Sequence, residues 1–312
     1  MSRVSFVIPT VRRPQGLAVA ARSLFAQQGV DPADLELVVV DNDPAGSARV
    51  VVEGLAAEAP FPVRYIHEPE PGVANARNAA FAAAEGDLIA FLDDDEEAPP
   101  GWLAALLAVR EAHDADVVFG PVRGRAPDHV VRHRTYLERF FSREGPAQSG
   151  PIDHYYGCGN SLLRRAALPD PKRPFSSERN HIGGEDDLLF GQMTAAGARF
   201  AWAAEAWVWE DPVPSRLTLR YALPRAFAYG QGPSAACAAR TPPDWLGVAG
   251  WMVQGLVQAG VFGVLALAKW AVRSPDFAFT ADRAVRGLGK TLWFGPFKIE
   301  FYGRSSGGVR LP

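Results

Sequence analysis

The chain has only two cysteines, Cys158 and Cys237, in 312 residues. That is too few for a disulfide framework and fits a reducing compartment. It also lacks a surplus of either charge. Its 32 Lys and Arg stand against 35 Asp and Glu, a formal net charge of −3, whereas a nucleic-acid binder carries a basic excess. No nucleic-acid partner is expected. No export signal is visible, because the apolar run after Met1-Ser2-Arg3 is only Val4 to Ile8 and stops at Pro9. Asparagine sequons, internal repeats and low-complexity tracts are absent as well. What remains is ordinary globular composition, 48% hydrophobic and 21% charged, enough for one large or two small domains.

Against this background stand three consecutive aspartates, Asp93-Asp94-Asp95, followed at once by Glu96 and Glu97. They follow Leu88 to Leu92, an apolar segment of strand length bounded by Glu85-Gly86-Asp87 and Pro99-Pro100-Gly101. Carboxylates clustered at the exit of a buried strand repel one another unless something cationic sits there. A hard divalent cation is held by one or two carboxylates completed by substrate phosphates, which suits such a site. The competing reading is a solvated acidic turn.

The first half alternates strand and helix. Strands are expected at Val4 to Ile8, Leu35 to Val40, Val63 to Ile66, Leu88 to Leu92 and Val117 to Phe119. Helices are expected at Gly16 to Gln28, Ala48 to Ala57, Ala74 to Ala84 and Trp102 to Arg110. This alternation implies an α/β fold, a mostly parallel sheet flanked by helices. Ligands of such sheets bind beyond the carboxyl ends of the strands. Pro9-Thr10, Asp41-Asn42 and Asp93 to Asp95 all fall at such ends. Residues 121 to 160 are less regular. Gly183-Gly184-Glu185-Asp186-Asp187 then reads as a glycine turn into a helix, whose dipole suits the acids in its first turn.

From about Trp245 the character changes. Leu246 to Ala268 holds no charged residue, and a run of that length can cross a bilayer. Residues 269 to 312 then carry eight Lys or Arg against three acids. A single crossing would export this basic tail, against the tendency of flanking Lys and Arg to stay cytoplasmic. An interfacial or re-entrant placement of 245–272, with Trp245, Trp251 and Trp270 at headgroup depth, keeps both ends inside. A helical hairpin packed in a soluble protein is the alternative. The divisions expected are 1–120, 121–240 and a helical C-terminal region, 241–312.

Five motifs in order resemble family-2 inverting glycosyltransferases of the GT-A fold: Val7-Ile8-Pro9-Thr10, Val39-Val40-Asp41-Asn42, Gly72-Val73-Ala74-Asn75-Ala76-Arg77-Asn78, Asp93-Asp94-Asp95 and Gly184-Glu185-Asp186. The end of the chain is similar, more loosely, to exopolysaccharide transferases of the succinoglycan kind. Two departures stand out. Val11-Arg12 replaces the tyrosine-asparagine that often follows the proline-threonine, and the glutamine-x-x-arginine-tryptophan motif of processive synthases is missing.

The resemblance implies transfer of a hexose from a nucleotide-diphosphate sugar, expected to be UDP-linked, to a saccharide or lipid-linked saccharide. The setting would be bacterial surface-polysaccharide synthesis, in the cytoplasm or at the cytoplasmic face of the inner membrane. By the same resemblance Asp95 ligates Mg²⁺ or Mn²⁺, Asp94 meets the ribose and Asp93 supports both. Asp41 accepts from the base beside Pro9 and Thr10, and Arg77 or Asn78 holds the nucleotide. Asp186 is the base that deprotonates the acceptor, with Glu185 in reserve. Two other classes compete. A sugar nucleotidyltransferase expects a glycine-rich phosphate loop after strand one, and Pro9 to Pro14 has no glycine. A non-catalytic saccharide-binding subunit would not need the acidic triplet together with Glu185-Asp186.

Overall fold

The computed structural model describes residues 3–180 and 183–299; His181 and the end of the basic tail lie outside them. In chain order the elements are β1 (Val4–Thr10), α1 (Pro14–Phe25), β2 (Leu35–Asp41), α2 (Arg49–Glu58), β3 (Val63–His67), α3 (Val73–Ala83), β4 (Leu88–Phe91), β5 (Glu96–Glu97), α4 (Trp102–His113), β6 (Val117–Phe119) and β7 (Val122–Gly124). They continue with α5 (Arg134–Phe141), β8 (Gly150–Ile152), β9 (Ser161–Arg164), α6 (Glu185–Ala195), β10 (Phe200–Trp202), β11 (Val208–Glu210), α7 (Leu219–Ala238), α8 (Trp245–Ala271) and α9 (Phe277–Thr291).

Among the described residues, eight strands form one sheet in the order β3-β2-β1-β4-β9-β6-β10-β8. β1 pairs in parallel with β2 and β4, while β9 inserts antiparallel between β4 and β6. Strands β1, β2 and β4 are buried on both faces, which is why they are near-continuous apolar runs. Their side chains split with period two. Phe6, Ile8, Leu37 and Val39 join Leu17, Leu24 and Trp102 on one face, and Val7, Val38 and Val40 join Phe81, Phe91 and Phe190 on the other.

The chain forms two compact units. Among the described residues, the first holds 3–123, 142–180 and 183–210, the second 124–141 and 211–299. These units divide the chain at other points than the expected 120 and 240. A cut at 120 would separate β6 from β9 and β10, to which it is hydrogen-bonded. Residues 124–141 belong instead with the C-terminal helices: the Tyr136 hydroxyl donates to Asp282 at 3.0 Å, and Leu137 packs with Leu217, Ala222 and Ala278.

In the second unit, small residues bring helices into backbone contact. A Cβ on Gly255 of α8 would lie 2.6 Å from the carbonyl oxygen of Gly287 in α9, and one on Gly289 of α9 would lie 2.1 Å from that of Phe227 in α7. One flank of α8 is thus fixed to α9. The other is open, with Leu246 89% and Leu267 68% exposed. It is a helix long and apolar enough to cross a membrane.

Candidate active site

Strands β2, β1 and β4 are neighbours and end on one edge, at Asp41, Thr10 and Phe91. β2 and β3 lie to one side of β1 and β4 to the other, so this edge is the switch point where open α/β sheets hold ligands. Here the Thr10 hydroxyl donates to Asp94 Oδ2 at 2.8 Å. Arg13 Nη1 reaches Asp94 Oδ1 at 2.9 Å and Asp95 Oδ2 at 2.5 Å. Pro14 starts α1 immediately afterwards, with its φ already set for a helix. A Cβ on Gly16 would sit 2.2 Å from the Asp94 carbonyl oxygen, so only glycine lets α1 lie against the aspartate turn. Burial pushes Asp94 up to about 6, against the opposing pull of Arg13 and Thr10.

Asp93 is held from behind. Its backbone N–H donates to Glu96 Oε2 at 2.9 Å, and Gly159 comes so close that a Cβ there would be 2.6 Å from Asp93 Oδ2. Burial raises Asp93, and burial with Asp93 beside it holds Glu96 well above the usual carboxylate range. The Arg143 guanidinium supplies nearby positive charge. It donates to the carbonyls of Gly120, Gly157, Gly159 and Asn160, tying down the turn that faces the aspartates.

The second cluster surrounds Arg77. Its Nη1 meets Glu185 Oε1 at 2.5 Å, with the two side chains 8% and 7% exposed. Burial disfavours the guanidinium charge, but Cys158, Asp93, Glu185 and Asp186 around it outweigh that and raise its pKa. Its Nε is a buried donor without a partner among the described residues. Burial pushes the Cys158 thiol up to about 12, which leaves it inert. Gly184, at φ 75°, turns the chain into α6 in a conformation that favours glycine. Asp186 follows half-buried, its Oδ2 accepting from the Cys158 N–H at 3.2 Å and its Oδ1 from the Asp187 N–H at 3.0 Å.

The structure gathers Thr10, Asp93, Asp94 and Asp95 as expected from their strand ends, with Pro9 half-buried just before them. Asp41, Asn78, Arg77, Glu185 and Asn160 are held by contacts within the fold. Asp41 is fully buried, and its oxygens accept from the N–H groups of Asp43 and Ala48 and from the Tyr65 hydroxyl, so it braces the loop after β2 instead of facing a base. Asn78 pairs both ends of its amide with the backbone of Phe175, at 2.8 and 3.0 Å, which ties α3 to that segment. Arg77 and Glu185 form a buried ion pair with each other inside the fold. Asn160, at φ 48°, is buried and structural: it accepts from Trp102 Nε1 at 2.8 Å and donates to the carbonyls of Pro121 and Ala206.

Sequence reasoning missed Arg13, Glu96 and Arg143. The Arg12-Arg13 pair between Thr10 and Pro14 was a visible signal, but backbone geometry decides between them. Arg12, at φ 55°, turns out to Asp43 at 2.9 Å, and Arg13 turns in.

Among the described residues, no three His, Cys, Asp or Glu side chains converge as a ready-made metal cage. The aspartate turn instead offers hard carboxylate oxygens, with Asp95 partly accessible at 15%. That donor set fits a Mg²⁺ or Mn²⁺ ion whose shell is completed by the phosphates of a substrate.

Known proteins are similar to this chain in sequence and in fold. The chain is 40% identical over 223 residues to the succinoglycan biosynthesis protein ExoM of Rhizobium meliloti, covering 71% of each chain. It is 29% identical over 167 residues to an undecaprenyl-phosphate 4-deoxy-4-formamido-L-arabinose transferase of Pseudomonas fluorescens, 53% of this chain and 48% of the other. Its fold matches S. aureus TarS in complex with UDP-GlcNAc with a TM-score of 0.52 at 18% identity, over 79% of this chain and 69% of that one. The GT-A fold is therefore present. The profile of glycosyl transferase family 2 matches residues 5–170, and the chain belongs to that family of enzymes.

Proposed function

We propose that the protein transfers one hexose, with inversion, from a UDP-sugar to a saccharide carried on a membrane lipid, at the cytoplasmic face of a bacterial inner membrane, in surface-polysaccharide synthesis. The observation that carries the chemistry is the separation of roles between two neighbouring acids. Glu185 is consumed by Arg77, whereas Asp186 is half-buried beside the carboxylate cluster and keeps acceptor capacity. In this reading Asp186 takes the proton of an acceptor hydroxyl. That oxygen bonds to the anomeric carbon as the bond to the donor phosphate breaks, and the electron pair leaves with the diphosphate. Asp94 accepts from the ribose hydroxyls, Asp93 supports the turn, and Asp95 would hold Mg²⁺ or Mn²⁺. Such an ion, when bound, neutralises charge building on the leaving diphosphate. The names of the relatives support the donor and the polysaccharide setting: a UDP-sugar complex, a succinoglycan protein and an undecaprenyl-phosphate transferase.

The open face of α8 supports membrane contact. Val253, Val257, Val261 and Val264 follow one another at intervals of three or four, each more than half exposed. Gln258 of α8 faces α9 instead. Gln258 donates to the carbonyl of Arg283, Lys290 donates to Gln258, and Lys290 stands over the Trp251 ring. A helix bound along one flank and apolar along the other suits lying in the interface.

The test is a panel of nucleotide sugars, each assayed for turnover with metal and with excess chelator. A UDP-sugar should be turned over only with metal. Asp186→Asn should lose transfer while donor affinity stays nearly unchanged, because a base acts in the transition state. Retained transfer in Asp186→Asn would overturn the assignment of the base.

A further inference from the structure

The second unit contains an open cavity of about 920 Å³ that the transfer chemistry does not use. Arg132, His133, Trp270, Arg273 and Phe277 line it, at the point where α8 ends and α9 begins. Its charges are not balanced. Arg134 is committed to Glu138 and Asp128, and Asp276 is matched by Lys269 at 3.5 Å. Among the described residues, Arg132 reaches only the ring of His133, at 3.2 Å, and Arg273 has no acidic partner. Both are exposed. The lining includes exposed apolar groups in spite of these cations: Val131 is 81% and Trp270 63% exposed. It continues directly into the open face of α8, through Leu267 and Val264.

Two unmatched guanidinium groups favour a phosphate, which they bind with planar, charge-assisted hydrogen bonds. A free phosphate has no use for the surrounding exposed aromatic and aliphatic groups. Tryptophan beside arginine, at the end of an exposed apolar helix, is the chemistry of a membrane interface, where rings sit among headgroups and cations meet lipid phosphate. We propose that this cavity receives the phosphate headgroup of an anionic phospholipid and fixes α8 in the cytoplasmic leaflet. The inference rests on the membrane contact proposed for α8 and adds to it a defined headgroup site.

The experiment is co-flotation of the full-length protein with vesicles of phosphatidylcholine alone or mixed with phosphatidylglycerol, at fixed ionic strength. The wild type should bind both and favour those containing phosphatidylglycerol. Arg132→Gln combined with Arg273→Gln should cut binding to phosphatidylglycerol vesicles by about thirtyfold, two surface cations being lost, while binding to phosphatidylcholine persists. Lys172→Gln combined with Arg173→Gln, an equal loss of exposed charge in the first unit, should leave the preference intact. Val257→Asp combined with Val264→Asp should weaken binding to both vesicle types. The headgroup site is overturned if the arginine variant keeps its preference, if the Lys172 and Arg173 control loses as much, or if inorganic phosphate at constant ionic strength displaces the protein. Persistent binding to phosphatidylcholine in any of these cases leaves the α8 reading standing. Failure to bind either vesicle type removes both.

Discussion

Replacing Arg77 by methionine tests whether that side chain is the internal counter-charge of the site. Methionine keeps much of the stem volume, so the main loss is charge and not packing. What remains is Glu185, its side chain 7% exposed and stripped of its ion-pair partner, while Asp93 still has Arg143 and Arg13 nearby. Breaking a buried pair from one side costs about 3–5 kcal/mol, because an uncompensated charge stays behind. Glu185→Gln should cost less, roughly 1–2 kcal/mol, since Arg77 still faces Asp93 and Asp186. The double variant should be less damaged than the sum of the two, with a coupling of at least ~1 kcal/mol. Urea unfolding followed by circular dichroism and tryptophan fluorescence reads these differences. In heat, Arg77→Met should lower the midpoint by roughly 10 °C, at about 2–4 °C per kcal/mol for a unit of this size. Activity supplies a second reading, because Glu185→Gln should still transfer sugar if Asp186 is the base. Additive losses, or an Arg77→Met variant within ~1 kcal/mol of wild type, would refute the argument.

Three further outcomes are expected. Asn160→Ala removes the partner of Trp102 Nε1 and of two buried carbonyls, and should destabilise by roughly 2–4 kcal/mol in thermal unfolding; a loss under about 1 kcal/mol would mean water replaces the amide. The Arg12 hydrogen bond holds Asp43 at about 2, below its ordinary 3.8, so the stability it adds is complete above that value and is lost as pH falls through about 2. Wild type should therefore lose stability between these limits faster than Asp43→Asn, read as urea midpoints against pH, and parallel curves would contradict the assignment. Asp95→Asn should weaken donor binding measured by calorimetry in Mg²⁺ or Mn²⁺, while wild type and variant converge in chelator; equal affinities in metal would remove Asp95 as a ligand.

Much of the fold can be read from periodicity, for a physical reason. Central parallel strands are buried on both sides, so β1, β2 and β4 must be apolar runs, and their polar ends mark the sheet edge where the site lies. The uncharged stretch within α8 is legible in the same way. The short strands β8 to β11 are not, because three or four residues carry too little pattern and their pairing depends on distant partners. Composition also cannot say which polar residue in a motif meets a ligand. Asn78 and Asp94 look alike in a sequence, yet one is locked to the backbone of Phe175 and the other stands at the switch point. Glu185 and Asp186 are adjacent and both acidic. The burial of Arg77 against Glu185, across 108 residues of chain, is what separates them. A charge taken out of water needs an opposite charge beside it, and only the tertiary structure decides which residue supplies it.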